Sequence, residues 1–212
     1  MADIAVNGGR LLDRLHEWDL AAYRVVASSS TPMLDEPLRR LSSAANYSRL
    51  SMLAAATLAV TGRARGRRAA VTGIASVALA SATANIGAKL LTRRPRPDRD
   101  GMGVITDRHV AMPESSSFPS GHTAAAFAFA EGVRHEWPAA GVPLYLLAGA
   151  VAYSRVHTGV HYPGDVLVGS AMGLGAGIVA GRILGAVRPA TARSRYHGET
   201  TDKGRPDHVG SR

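Results

Sequence analysis

Two long apolar segments of this 212-residue chain are joined by residues 154–165, SRVHTGVHYPGD. Within this stretch His161 follows Arg155 by six residues and Asp165 follows His161 by four. Pro163 suits the first turn of a helix, so we expect Asp165 just inside a helix and His161 in the loop before it. A carboxylate there can accept the proton of one imidazole nitrogen and leave the other nitrogen free to attack. Taken alone, His161 is better explained as a structural histidine, and Asp165 can be explained as a charge stabilised by the helix dipole.

Apolar segments alternate with charged loops along the chain, although the mean hydropathy is near zero. Residues 69–88 are uncharged, and at 1.5 Å per residue they cover about 30 Å, the thickness of a bilayer core. The sequence therefore predicts an all-α, membrane-embedded helical bundle with about five transmembrane helices. The expected segments are 38–62 (weak, best at 50–60), 69–89, 118–130, 137–154 and 166–187.

The last of these segments carries a stripe of glycines. Gly169, Gly173, Gly177 and Gly181 recur every four residues and so lie on one face of a helix. Small residues in this pattern let membrane helices approach closely. The stripe supports a bundle that is packed within lipid.

Residues 10–27 place apolar side chains at helical spacing and predict an N-terminal amphipathic helix. The pattern fits equally a helix at the membrane interface and a helix packed on the rest of the protein. Residues 188–212 are polar and without periodicity, which predicts a disordered tail. We therefore divide the chain into an N-terminal helix (1–37), a membrane domain (38–187) and a tail (188–212).

Basic residues exceed acidic ones by 25 to 16, and all but two of the 25 are arginines. Nucleic acid, anionic lipid and acidic substrates all suit such a chain. The sequence RARGRR at 63–68 has no accompanying recognition motif, so we predict a cytoplasmic loop and no nucleic-acid partner. Segment parity then places 93–117 and 155–164 on the extracytoplasmic side, although five arginines before the first span oppose this orientation. The chain has no cysteine, which excludes disulfides and thiolate metal sites.

Two further stretches carry groups suited to phosphate. Lys89 ends an apolar segment, and Arg96 stands between two prolines seven residues later. Pro119-Ser120-Gly121-His122 opens another segment, where Ser120 can cap a helix and the Gly121 N–H can face an anion. Snorkelling explains Lys89 and capping explains Ser120 when each stretch is taken separately.

Together, the three stretches resemble the three-part signature of the type 2 phosphatidic acid phosphatase (PAP2) superfamily, with no departure at any signature position. The resemblance implies that His161 is the nucleophile, that Asp165 orients it, and that His122 is the general acid. It also implies a set of groups that hold the phosphate oxygens without a metal or other cofactor: Lys89, Arg96, Ser120, Gly121 and Arg155. His157 receives no catalytic role. Arg93 and Arg94 could add positive field at the mouth of the site, but we interpret them as solvated loop charges.

The resemblance implies a multi-pass cell-membrane enzyme that removes a terminal phosphate from a lipid phosphate or diphosphate. Polyprenyl (di)phosphate, phosphatidic acid and phosphatidylglycerol phosphate are the expected substrate classes, and the richness in Ala, Gly and Arg is typical of a high-GC bacterium. Two alternatives use the same site: a phosphotransferase that passes the phosphoryl group to an alcohol, and a vanadium haloperoxidase-like oxidoreductase. A non-enzymatic protein that binds anions through its arginines would leave the ordered histidines unexplained.

Overall fold

The computed structural model describes residues 2–84 and 94–187, with side chains from residue 13 onward except Tyr47. Within these ranges the chain forms seven α-helices and no strands, which confirms the all-α prediction. The helices are α1 Ala2–Ser28, α2 Pro32–Ala44, α3 Arg49–Thr61, α4 Arg63–Ala82, α5 Gly121–Glu136, α6 Pro138–His157 and α7 Pro163–Ala186. Two of them, α6 and α7, are long and apolar enough to cross a membrane.

Helix α5 is the centre of the bundle, because α4, α6 and α7 all pack against it. The glycine stripe of α7 faces it, as the sequence predicted. A Cβ at Gly173 would lie 2.3 Å from the carbonyl oxygen of Ala124, and one at Gly169 would lie 2.5 Å from that of Ser120. Larger residues would therefore push α7 away from the start of α5, where part of the predicted site lies.

Helix α1 packs on the bundle through one face. Tyr23 and Ala27 are buried in a cluster with Val156 of α6 and Val166 of α7. The apolar stripe that predicted this helix lies elsewhere on its surface, and Trp18 is 72% exposed. Helix α1 thus packs on the protein and still leaves an apolar surface uncovered.

Two local expectations differ from the structure. Residues 63–68 are the first turns of α4 and not a loop, because the chain turns within Gly62 and Arg63, where Arg63 has a φ of +50°. In addition, Pro32 starts a helix that runs to Ala44, so the predicted boundary at residue 37 falls inside α2. The domain division remains a prediction, and the tail at 188–212 lies outside the described residues.

Candidate active site

The SRVHTGVHYPGD stretch forms the end of α6, a tight loop and the start of α7. Gly159 has a φ of +69°, a conformation that glycine adopts without strain, and the chain then turns back towards α6. The backbone N–H of His161 donates to the carbonyl of Arg155 at 3.2 Å. Pro163 begins α7 as predicted, so Asp165 lies in its first turn and His161 in the loop before it.

Asp165 is fully buried, and three groups surround one oxygen of its carboxylate, Oδ2. Oδ2 accepts hydrogen bonds from the hydroxyl of Ser117 and, at 2.9 Å, from the backbone N–H of Tyr162. The same oxygen lies 3.5 Å from Nδ1 of His161, longer than a good hydrogen bond. Within the described part of the chain, Nδ1 has no hydrogen-bond partner. Asp165 therefore lies beside the ring that it is predicted to orient, but the two are too far apart for a good hydrogen bond.

The other imidazole nitrogen of His161 faces a cation. Its Nε2 lies 3.4 Å from Nη1 of Arg96, which also donates to the carbonyl of Val160 at 2.7 Å. The remaining guanidinium nitrogens of Arg96 bind oxygens of Ser115 and Ser116. Arg96 is thus held by the loop backbone, with its positive charge next to the nitrogen that can attack phosphorus.

Arg155 is 1% exposed and supplies a second cation. Its Nη1 donates to the carbonyl and to the hydroxyl of Ser42 on α2, at 3.1 and 2.7 Å. Its Nε is buried without a partner among the described residues. A buried guanidinium with unused donors can bind an anion, because pairing would offset its desolvation.

His161 is held neutral by this environment. Burial lowers its pKa to about 4, and the positive charges of Arg155 and Arg96 act in the same direction, against the opposing effect of Asp165. A neutral imidazole has a free electron pair on one ring nitrogen. The arrangement can therefore attack an electrophile such as phosphorus without first losing a proton.

Helix α5 starts beside this loop. The backbone N–H of Ser120 donates to the carbonyl of Asp165 at 3.0 Å. The Ser120 hydroxyl does not cap α5 as we had expected; it lies 3.0 Å from the hydroxyl of Thr123. Gly121 is the first helical residue, and Nε2 of His122 lies 2.9 Å from Oδ1 of Asn46.

The structure thus brings His161, Asp165, Arg96 and Arg155 together, with the start of α5 bonded to the same loop. His122 is joined instead to the turn between α2 and α3. The predicted phosphate ligand Lys89 lies outside the described residues.

Several contacts of the site were missed by the sequence analysis. Arg94, which we interpreted as a solvated charge, lies with Nη1 2.7 Å from Oδ1 of Asp165 and Nη2 2.6 Å from Oδ2 of Asp19. The position of Arg94 in RRPRP gave a weak signal. No sequence signal marks Asp19, Ser42 or Asn46, because these residues lie outside the three motifs and reach the site only through tertiary packing.

His157, the other histidine of the stretch, belongs to a separate buried cluster. Its Nε2 lies 3.1 Å from Oδ1 of Asp35 and 3.0 Å from the hydroxyl of Thr31. Arg108 binds the same Asp35 oxygen at 2.8 Å. No group of three or more potential metal ligands occurs within the ranges 2–84 and 94–187.

Comparison with known proteins gives relatives with the same architecture. The model of the PAP2 superfamily matches residues 69–189. Decaprenylphosphoryl-5-phosphoribose phosphatase of Mycobacterium tuberculosis is 38% identical over 106 residues, which are 50% of this chain and 56% of that protein. The chain thus matches about half the length of this curated relative.

Two solved structures resemble this fold. Aquifex aeolicus LpxE superposes with a TM-score of 0.60 at 28% identity, covering 76% of this chain and 93% of that one. A transmembrane PAP2-type phosphatidylglycerolphosphate phosphatase from Bacillus subtilis gives 0.63 at 20% identity, covering 84% and 89%. The second likeness concerns the fold alone. Because the family model covers more than half of the sequence and includes all three motifs, this chain belongs to the PAP2 superfamily.

Proposed function

We propose that this protein hydrolyses the terminal phosphate of a membrane lipid phosphate or diphosphate through a phosphohistidine formed on His161. The observation that carries the proposal is the geometry of His161. One imidazole nitrogen faces the carboxylate of Asp165 at 3.5 Å, and the other faces Arg96 at 3.4 Å in a buried, cationic site. Nucleophile, orienting group and anion-binding group thus meet at one ring.

The reaction proceeds in two steps. Nε2 of His161 attacks phosphorus and the bond to the leaving oxygen breaks, while His122 gives that oxygen a proton. Water then attacks the phosphohistidine and gives a proton to His122, the P–N bond breaks, and phosphate and the free imidazole are released. Asp165 stabilises the charge that develops on His161 during the attack.

The phosphate oxygens are held by fixed donors. Arg96 and Arg155 provide guanidinium groups, and the start of α5 adds the Ser120 hydroxyl and the backbone N–H of Gly121 at a positive helix end. Lys89, by its position in the signature, completes this set. Charge spreads over the non-bridging oxygens in the transition state, so such donors accelerate the reaction without a metal.

The substrate class follows from the relatives and from the apolar helices. The matching mycobacterial enzyme acts, by its name, on a decaprenyl-linked phosphoribose, which favours a polyprenyl carrier over a phospholipid here. We infer about five membrane spans with the site on the extracytoplasmic side, and the exposed stripe of α1 lying at the membrane interface.

The test is phosphate release by detergent-purified protein in the presence of EDTA. The panel contains decaprenylphosphoryl-5-phosphoribose, a polyprenyl diphosphate, phosphatidic acid and phosphatidylglycerol phosphate, and each is given to wild type and to His161→Ala. Release by wild type alone supports the proposal, and the best substrate identifies the lipid class. Equal release by both proteins contradicts the role of His161. A phosphorylated product with added alcohols, or halide oxidation with added vanadate, would assign the site to the alternative chemistries.

A further inference from the structure

Helix α1 reaches the site through Asp19. Oδ1 of Asp19 accepts a hydrogen bond at 2.7 Å from the backbone N–H of Gly164, in the first turn of α7. Its Oδ2 lies 2.6 Å from Nη2 of Arg94, and Nη1 of Arg94 lies 2.7 Å from Oδ1 of Asp165. One guanidinium therefore joins a carboxylate of the N-terminal helix to a carboxylate of the signature.

This bridge is shielded from solvent. The side chain of Asp19 is 10% exposed, that of Arg94 is 21% exposed and that of Asp165 is fully buried. Exposed ion pairs contribute little because water screens them, but shielded pairs with short, forked contacts are stronger. Arg94 also lies over the ring of Tyr162 at 4.2 Å, which restricts its movement further.

The polar contacts of Asp19 fix the position of α1 at this point. Beside them lies a cavity of about 620 Å³ with mostly apolar walls, which include Leu15, Trp18 and Leu167. Leu20 packs on the cluster of Tyr23 and Val166, but Leu15 and Trp18 line the cavity, so little apolar packing holds the turn before Asp19 against α7. Removing the Asp19 carboxylate would free both Arg94 and the adjoining turn of the helix.

We propose that Asp19 is a positioning residue: it anchors Arg94, which in turn holds the Asp165 carboxylate against His161. This inference rests on the proposed function and assigns a part of the site to a helix outside the three signature motifs. Asp19 touches neither the substrate nor the reacting atoms, and it acts through two intervening side chains.

The bridge also sets the charge around His161. Asp19 balances Arg94, so Asp19→Asn leaves one more uncompensated positive charge near His161 and disfavours its protonated form. Arg94→Gln removes a positive charge and has the opposite effect. Among the described residues, the other charged groups that act on His161 are Arg96 and Arg155, and Asp98 acts on the neighbouring Tyr162. These remain in every variant.

The experiment measures kcat, KM and the pH dependence of kcat/KM for Asp19→Asn, Arg94→Gln and the double variant. The substrate is one that wild type hydrolyses with dependence on His161. We expect each single variant to lower kcat about tenfold or more, with KM little changed, since each removes a hydrogen bond to a charged group. The acid limb of the kcat/KM pH profile should move to lower pH in Asp19→Asn and to higher pH in Arg94→Gln. In the double variant it should lie between these two positions. Titration of the substrate phosphate is common to all variants and cancels.

Asp13→Asn is the matched control, because it makes the same chemical change at an exposed position of the same helix. It should behave as wild type. Asp19→Glu keeps the charge and should retain the wild-type acid limb even if kcat falls, and it serves as the second variant where Asp19→Asn does not fold. Shifts of the two single variants in the same direction, no shift in either, or an unchanged kcat would overturn the proposal.

A readout without turnover separates this proposal from the proposed function. The imidazole of His161 is titrated by NMR in the intact protein, with His161→Gln providing the assignment. Opposite shifts in Asp19→Asn and Arg94→Gln would support the bridge even if wild type released no phosphate. Identical titrations in the two variants would contradict it even if the enzyme were an active lipid phosphatase.

Discussion

The two histidines of the candidate site differ in nearly every feature of their surroundings. His161 is 2% exposed, with a carboxylate on one side of its ring and a guanidinium on the other. His122 is half-buried, and its Nε2 lies 2.9 Å from the side-chain oxygen of Asn46. One histidine is thus surrounded by charges that determine its protonation, whereas the other lies against a neutral amide.

This difference explains how one site can hold both a nucleophile and an acid. Burial and the arginines favour neutral His161, whose free electron pair is needed for attack, and Asp165 can stabilise the charge that develops later. The side-chain oxygen of Asn46 can accept a hydrogen bond from His122 but cannot form an ion pair with it, so His122 keeps a proton that it can give to a leaving oxygen. Unequal environments of this kind are how enzymes divide the roles of similar groups.

Removing the nucleophile should have the largest effect. His161→Ala should lower kcat by about 10⁴-fold or more and abolish phosphate incorporation into the protein, because the change removes the imidazole on which the proposed intermediate forms. The check is quenched mass spectrometry of enzyme mixed with substrate. His109→Gln, a histidine change in the loop between α4 and α5, should leave incorporation intact. Phosphate on His161→Ala protein would place the intermediate elsewhere.

Removing the acid should have an effect that depends on the substrate. His122→Gln should slow hydrolysis of an alkyl lipid phosphate by about 10³-fold, within the range of general acid catalysis. An aryl phosphate such as p-nitrophenyl phosphate needs little protonation of its leaving oxygen, so His122→Gln should slow its hydrolysis much less. His161→Ala should slow both substrates alike. If His122→Gln reduced both equally, its role would be in binding and not in proton transfer.

Because the pKa of His161 is lowered, we expect the enzyme to remain active at pH values below the pKa of an ordinary histidine. Burial disfavours the imidazolium, so the pKa falls to about 4 and the nucleophile is neutral above that pH. At pH 5 about nine-tenths of His161 would be neutral, against about 3% for an ordinary histidine with a pKa near 6.5, roughly a thirtyfold difference. An NMR titration of His161 in detergent micelles measures this without interference from the substrate. A midpoint near 6.5 would show that water reaches the ring.

The sequence predicted the parts of this site that lie in local motifs. Pro163 as the start of α7, Asp165 in its first turn and His161 just before it all follow from spacing, because helix start signals act over a few residues. The glycine stripe likewise indicated the face of α7 that contacts α5. Family membership followed from the three motifs together, and the comparisons confirm it.

Contacts across the fold were not predictable in this way. Asp19 and Arg94 lie 75 residues apart in the sequence, and Asn46 and His122 lie 76 residues apart. No periodicity or motif marks Asp19 or Asn46, and Arg94 resembled a solvated charge because its two partners come from other elements. The sequence also placed 63–68 in a loop, because a run of arginines shows polarity but does not show that the chain turns within Gly62 and Arg63 and is helical afterwards.

The smallest predicted effect concerns the neutral partner of His122. Asn46→Ala removes one hydrogen bond, which is worth about 1 kcal/mol, or roughly a fivefold loss of kcat for a lipid substrate. Because the defect acts through the acid, the loss should disappear with p-nitrophenyl phosphate and should not add fully to that of His122→Gln. Asn46→Gln, which keeps the amide on a longer stem, is the conservative comparison and should recover part of the rate. An equal loss with both substrates would indicate that Asn46 supports the turn between α2 and α3, and that the environment of His122 is set by other groups.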